Sequence, residues 1–300
     1  MISGIKKRID WKWFNFRCSG IFNTPSIRCD PESNIVVVSQ MHHNYMAMYL
    51  LAVKSFARYI RPRYFVLVDD GLLDEDKRVL TAHLGKVHFV RRQDVALEAC
   101  PAGGCWERIL TLSHENQSYY TVQLDADTLT LSEPTEVLQC LAENRTFTLG
   151  TSTGRHMVGF SEASRFAHEK TNDHIQNHAE RMLEKFPGHE HLKYVRGCAG
   201  FAGFASGQLP ADKIEKFSIE MSKLVGREKW REWGSEQVTS NYMAANAQNA
   251  LVLPVERYPF WRPDVDIEKA VFVHFFGTFR FTAGMYQRQS ARVIQSLLAQ

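Results

Sequence analysis

The sequence is short of cysteine, of long apolar runs and of net charge, and each shortage excludes something. Its 300 residues hold six cysteines, at 18, 29, 100, 105, 140 and 198, with neither a CxxC pair nor the spacing of a disulfide framework. Reduced thiols in a cytoplasmic protein are the expectation. Cys100 and Cys105 lie close enough to form half a metal site, yet no second Cys/His pair has matching spacing. No apolar run approaches the roughly twenty residues that span a bilayer. The opening MISGIKKRIDWKWFNFRCSG lacks the continuous apolar stretch of a secretory signal, so the sequons at Asn116 and Asn144 read as chance. With 36 Lys and Arg against 33 Asp and Glu, the formal net charge is +3, far from that of a dedicated nucleic-acid binder.

What is present suffices for a sizeable core, since 44% of the residues are hydrophobic. The first 33 residues form an arm in which Lys6, Lys7, Arg8, Lys12 and Arg17 are interleaved with Ile5, Ile9, Trp11, Trp13, Phe14 and Phe16. Such a mixture suits either a segment lying on an anionic membrane or an arm packed on the body of the protein. One domain, 34–300, follows without a linker, repeat or low-complexity tract to divide it. The strand signals NIVVVSQ (34–40), RYFVLVDDG (63–71) and KVHFV (86–90) alternate with helical patterns at 44–60 and 72–85. A further helix from Trp106 leads to the strand before Asp125. This alternation predicts βαβ units and a mostly parallel α/β sheet flanked by helices. In such sheets ligands collect at the carboxyl ends of the strands. Ser39–Gln40, Asp69–Asp70 and Asp125–Asp127 all fall there. The second half is less regular: helices near 172–186 and 211–225 surround a glycine-rich, strand-like VRGCAGFAGFASG (195–207). A helix capped by Ser235, strands around NALVLPVERY and KAVFVHFFG, and a last helix at 283–299 complete it.

The stretch TVQLDADTLTL (121–131) alternates apolar and polar residues as a strand does, which would set Asp125 and Asp127 on one face. Two ionised carboxylates there repel each other and are costly to bury without a counter-charge. Paired acidic oxygens are hard ligands suited to Mg²⁺ or Mn²⁺, which commonly take further ligands from a phosphate. Further along, VFVHFFGTFRF (271–281) supplies His274 at the end of an apolar strand as a third ligand. Gly277 and Arg280 add a flexible backbone point and a guanidinium that binds phosphate oxygens.

Taken in order, these motifs resemble those of GT-A-fold glycosyltransferases, especially of family 8. YYTVQLDADTLTL resembles the family's strand and D-x-D motif, and His274, Gly277 and Arg280 stand at the spacing of its H-x-x-G-x-x-K, with Arg for Lys. GCAGF is similar to its N-x-G segment at Ala199 and Gly200, with Cys198 for Asn. Glu236, Gln237 and Asn241 echo its D-Q-x-x-x-N, and VVVSQMHHNY its nucleotide-binding start. The resemblance covers about residues 34 to 281. It implies a GT-A-type Rossmann-like sheet, with a nucleotide-binding half at about 34–131 and a less regular acceptor-side half at about 132–300. It also implies an enzyme that moves a sugar from a nucleoside-diphosphate donor, a UDP-sugar, to a glycan or glycolipid, with retention of configuration. Asp125, Asp127 and His274 would hold Mn²⁺ or Mg²⁺, and Arg280 and Gly277 would meet the phosphates. Asp69 or Asp70 would contact uracil or ribose, Ser39, Gln40 and Tyr45 would line the base pocket, and Arg108 is the basic residue upstream of the strand. Glu236 and Gln237 would face the reacting sugar, with Glu236 available as general base should the reaction invert. The site would lie in the cytoplasm, at the inner face of the membrane if the arm binds it.

Trp230 and Trp233 offer ring faces to an acceptor sugar, with helix packing as the plainer role for at least one. His168, His174, His178, His189 and His191 lack a helical HExxH or neighbouring cysteines and read as a polar, exposed helix. Two rival readings remain. A haloacid-dehalogenase-type phosphotransferase also ends an apolar strand in D-x-D, but it needs Thr or Val where Leu129 stands, and its later acidic pair should follow the motif. A transferase-like scaffold at the membrane surface would not be expected to keep the acidic pair, His274 and Arg280 together.

Overall fold

The computed structural model describes residues 2–299. β-Branched runs become strands and apolar repeats of helical spacing become helices. Helix α1 (Ile2–Arg17) comes first. Then β1 (Ile35–Met41) leads to α2 (Met46–Ala57), β2 (Tyr64–Asp69) to α3 (Asp74–Leu84), and β3 (Val87–Arg91) to α4 (Trp106–Asn116). β4 (Tyr120–Leu124), β5 (Thr128–Thr130), α5 (Thr135–Ala142) and β6 (Phe147–Leu149) follow. The second half runs through β7 (Val158–Gly159), α6 (Phe160–His168), α7 (Ile175–Met182), β8 (Lys193–Tyr194) and β9 (Cys198–Phe204). It ends with α8 (Ala211–Val225), α9 (Arg227–Trp230), α10 (Ser235–Ala245), β10 (Leu251–Leu253), β11 (Phe272–His274) and α11 (Met285–Leu298).

Seven strands make the main sheet, in the order β10-β6-β9-β4-β1-β2-β3. β9 runs antiparallel to β4 and β6, while the other neighbours are parallel. The helix-flanked, mostly parallel α/β sheet expected from the sequence is therefore present. The chain steps outward from β1 to β2 and β3, then returns to lay β4 on the other side of β1. Loops leaving β1 and β4 part at that reversal and open a crevice beyond the strand ends. Successive side chains feed two cores. Val37, Phe65 and Leu67 join α2, α3 and α11 on one face, and Val36, Val38 and Val66 join α4, α6, α7, α8 and α10 on the other. Phe14 of α1 and Cys18, just past its end, are fully buried in the first of these cores.

Three local expectations are corrected. Asp125 and Asp127 do not sit within a strand but in the turn between β4 and β5. The apolar alternation runs on because β5 is itself a strand, antiparallel to β11 in a separate two-stranded sheet. Ser235 begins α10 rather than capping it: Gly234, left-handed at φ 108°, takes the cap position, and the Ser235 hydroxyl accepts from the Trp106 indole N–H at 2.9 Å. The α7 region is not a wholly exposed helix either, since Ile175, Gln176, Asn177, Ala179 and Glu180 are buried. Asn116 of the first sequon is buried, its amide donating to the carbonyls of Phe204 and Ala205, so no glycan can sit there.

Candidate active site

Two strands in different sheets bring the acidic turn against His274. The Asp125 amide donates to the Gly200 carbonyl on β9 (2.8 Å), and the Phe275 amide to the Asp127 carbonyl (2.8 Å). His274 faces Thr128 across the β5–β11 pair. Its Nε2 lies 3.1 Å from Asp127 Oδ1 and 3.9 Å from Asp125 Oδ2. One ligand atom from each of the three residues falls within 4.8 Å of the others, the only such group of three His, Cys, Asp or Glu among the described residues. Gly200 makes this approach possible, because a Cβ there would stand 2.3 Å from His274 Cε1 and 3.1 Å from Asp125 Oδ2. The imidazole is packed against Phe260 and Phe276, with centroids at 5.5 and 5.4 Å. Its Nδ1 faces the Cys198 sulfur at 3.7 Å, leaving Nε2 to the carboxylates.

Burial alone would raise the Asp127 carboxyl, but His274 and Arg280 outweigh it and hold the group at about 2. The same pairing works on His274: burial disfavours its charge, and the Asp127 carboxylate overrides burial to push the imidazole well above its ordinary value. Arg280 Nη2 bonds Asp127 Oδ2 at 2.5 Å, and its Nε donates to the Phe275 carbonyl at 2.9 Å. On the other side, Arg108 is almost wholly buried, bonds Asp125 and reaches Glu236 Oε1 at 3.4 Å. The two oxygen donors and one nitrogen donor suit Mn²⁺ or Mg²⁺, nitrogen favouring the former.

A cavity of about 1430 Å³ opens over this group. Asp125, Asp127, His274, Arg108, Arg280, Gly277, Gln40, Tyr45, Asp70 and Gln237 all line it. Asp70 receives Arg92 at 2.5 Å and the Gln40 amide at 3.3 Å, which joins the ends of β1 and β2. Gln237 accepts from the Ala199 amide and donates to Gln176, at 3.3 and 3.0 Å. Ser39, Asp69 and Glu236 are not brought to the cavity. The Ser39 hydroxyl donates to the Leu124 carbonyl at 2.7 Å, tying β1 to β4. Asp69 accepts from the amides of Gly71 and Leu72 and pairs with Lys77 at 2.7 Å, so it shapes the turn that presents Asp70. Glu236 is 3% exposed; burial, with Asp125 adding to it against Arg108, pushes its carboxyl up to about 7.

The two tryptophans separate cleanly. Trp230 is core, its indole N–H donating to Ser218, whereas Trp233 is 70% exposed at the cavity, edge-on to His174. The sequence reading missed the amides Asn172, Gln176 and Asn177, which line the same end. It also missed Trp11, whose ring lies edge-on to Tyr45 at 5.1 Å and under the Arg280 guanidinium at 6.0 Å. The interleaved aromatics of the arm were the available signal.

No protein-family profile matches this sequence, and no characterised protein matches it at the sequence level. Solved structures do match in shape. The bifunctional glycosyltransferase WbbM, in its apo form, superposes with a TM-score of 0.53 at 14% identity, covering 88% of this chain and 50% of that one. The fold is GT-A. This chain spans half the length of WbbM. An active-site mutant of LgtC matches with a TM-score of 0.48 at 13% identity, over 86% of this chain and 95% of that one. The galactosyltransferase LgtC with donor and acceptor sugar analogs matches with a TM-score of 0.45 at 14% identity, over 87% and 95%. In GT-A terms, the crevice at the β1/β4 reversal is where the acidic turn, His274 and Arg280 converge.

Proposed function

We propose that this protein is a metal-dependent glycosyltransferase that moves a sugar from a nucleoside-diphosphate donor, a UDP-sugar, to a glycan or glycolipid, with retention of configuration. The observation that carries this reading is the Asp125–Asp127–His274 group on the floor of a GT-A cavity, with Arg280 beside it. The donor set fits Mn²⁺ or Mg²⁺, and the Gly200 cradle holds it open. When bound, the cation neutralises the diphosphate and stabilises the departing nucleoside diphosphate.

The chain's own residues do the rest. Arg280 exchanges its bond to Asp127 for the phosphate oxygens, a fork geometry suited to them. Tyr45 stacks on the base, Gln40 and Asp70 hydrogen-bond base or ribose, and Gly277, at φ +62°, lets backbone lie close to phosphate. Arg108 fixes Asp125 from behind. Gln237 presents its amide to the donor sugar. Glu236 stays behind Arg108 and serves that arginine rather than the reacting carbon. At the opposite end, the exposed Trp233 ring and the amides of Asn172, Gln176 and Asn177 offer a stacking face and hydrogen bonds to an acceptor sugar.

Titration calorimetry with UDP tests the reading. Binding in the presence of Mn²⁺, lost in chelator and in Asp127→Asn, is the expected result. Equal heats with and without the metal would overturn it.

A further inference from the structure

Helix α1 has two apolar faces, and the body of the protein covers only one. Trp11 and Phe14, three residues apart, turn inward, as does Cys18 just past the helix end; Phe14 packs on Tyr286 and Phe281 at 4.5 and 5.7 Å. Ile9, Trp13 and Phe16, four and three residues apart, turn outward and are 61%, 53% and 71% exposed. The Trp13 and Phe16 rings stack at 6.0 Å, so the stripe is continuous. A helix stabilised only by its inner contacts has no need of a second row of large apolar side chains in water.

Charge names the occupant. Lys12 and Arg17 are exposed beside the stripe, Arg17 lying over the Trp13 ring at 5.7 Å. The helix sequence holds five basic residues and one acidic residue, a net +4 against the whole chain's formal +3, so the remainder of the chain is close to neutral. Pairing with a second copy would set these cations against one another. An anionic surface satisfies them, and the aromatic stripe sits at headgroup depth. At 16 residues, and with no described helix long and apolar enough to cross a membrane, α1 lies on a bilayer rather than through it.

We infer that α1 is an interfacial helix that docks the protein on an anionic phospholipid surface through Ile9, Trp13 and Phe16, with Lys12 and Arg17 bound to the headgroups. The docking does not depend on the reaction. Its consequence for the donor end of the cavity rests on the transferase reading. Trp11 on the inner face touches Tyr45 and Arg280 of the cavity. Phe279 and Phe276, 42% and 45% exposed, lie on the loop that runs from the cavity rim to Phe281 beneath α1. The donor end of the cavity is thereby held at the lipid surface.

Co-sedimentation with vesicles tests this, using phosphatidylcholine alone and phosphatidylcholine mixed two to one with phosphatidylglycerol. The intact protein is expected to sediment with the anionic vesicles at least tenfold more than with the neutral ones. The triple variant Ile9→Ser, Trp13→Ser, Phe16→Ser and the pair Lys12→Glu, Arg17→Glu should each lose at least tenfold in partitioning, while melting temperature and UDP–Mn²⁺ binding stay unchanged. Failure of the intact protein to sediment, or sedimentation of the triple variant as well as the parent, overturns the inference. So does a dimer in size-exclusion chromatography that the triple variant turns to monomer, because the stripe would then be a self-contact. Vesicle binding without UDP binding would remove the transferase reading and leave the docking in place.

Discussion

A Cβ at position 200 would stand 2.3 Å from His274 Cε1, so the absence of a side chain at Gly200 is what allows the imidazole to reach the acidic turn. Gly200→Ala must displace His274, Asp125 or the β9 backbone that accepts the Asp125 amide. Overpacking of this kind costs about 1–3 kcal/mol, felt as a melting temperature lower by a few degrees. The larger effect is expected in metal affinity, at least tenfold weaker for Mn²⁺ by calorimetry. An alanine variant that binds Mn²⁺ as tightly as the parent would show that the cradle is not part of the site.

The two arginines should respond oppositely to removal. Arg108 is buried between Asp125 and Glu236, and Arg108→Ala leaves two carboxylates without their cation. Breaking a buried pair in this way destabilises by about 3–5 kcal/mol, measurable by urea unfolding. Arg280 is partly exposed and competes for Asp127 with any metal bound there. Arg280→Ala leaves Asp127 paired with His274 and should cost less stability than Arg108→Ala, bind Mn²⁺ alone as well or better, and bind UDP at least tenfold more weakly. Equal losses of stability in both variants would dissolve the distinction.

Glu236 and Gln237 are neighbours in sequence with different environments. Glu236→Gln keeps the size of the side chain and one acceptor for Arg108, so turnover should fall by less than about tenfold. Gln237→Ala removes the side chain facing the cavity and should lower kcat by about 10²-fold or more with a smaller change in donor KM. The reverse order in donor-hydrolysis kinetics would move the chemistry back to the buried carboxylate.

Lys54 gives a pH signature independent of the site. Its ammonium is buried, donating to the Thr24 carbonyl and hydroxyl and to the Pro25 carbonyl at 3.2, 2.8 and 2.5 Å. Burial lowers it from 10.5 to about 8. The folded chain thus holds this proton less tightly than the unfolded chain, and stability from this group rises with pH between about 8 and 10.5. Lys54→Met removes that term. The difference in unfolding free energy between parent and variant should shift by about 2–3 kcal/mol in favour of the parent from pH 7 to pH 10. A constant difference across that range would refute the assignment.

Much of this was legible in the chain itself. β1 to β4 are runs of Val, Ile, Phe and Tyr between helical repeats, and that pattern is enough to predict the sheet and its loaded edge. Asp125, Asp127, His274 and Arg280 were found because each closes an apolar strand or its turn at a recognisable spacing. The turn itself was hidden, since β5 continues the alternation of β4 although it belongs to another sheet. The burial of Glu236 was hidden for another reason. Its partner Arg108 lies 128 positions away, and no local pattern records a contact of that range. The hold of Trp11 on Tyr45 and Arg280 is of the same kind.

The hydrogen bonds that Asp127 accepts from His274 and Arg280 span 147 and 153 positions, and the Asp125 amide donates to β9 between them. During translation, then, the acidic turn leaves the ribosome well before its counter-charges, which follow 147 and 153 positions behind it. Any metal site on this turn is therefore complete only once His274 and Arg280 have docked against it.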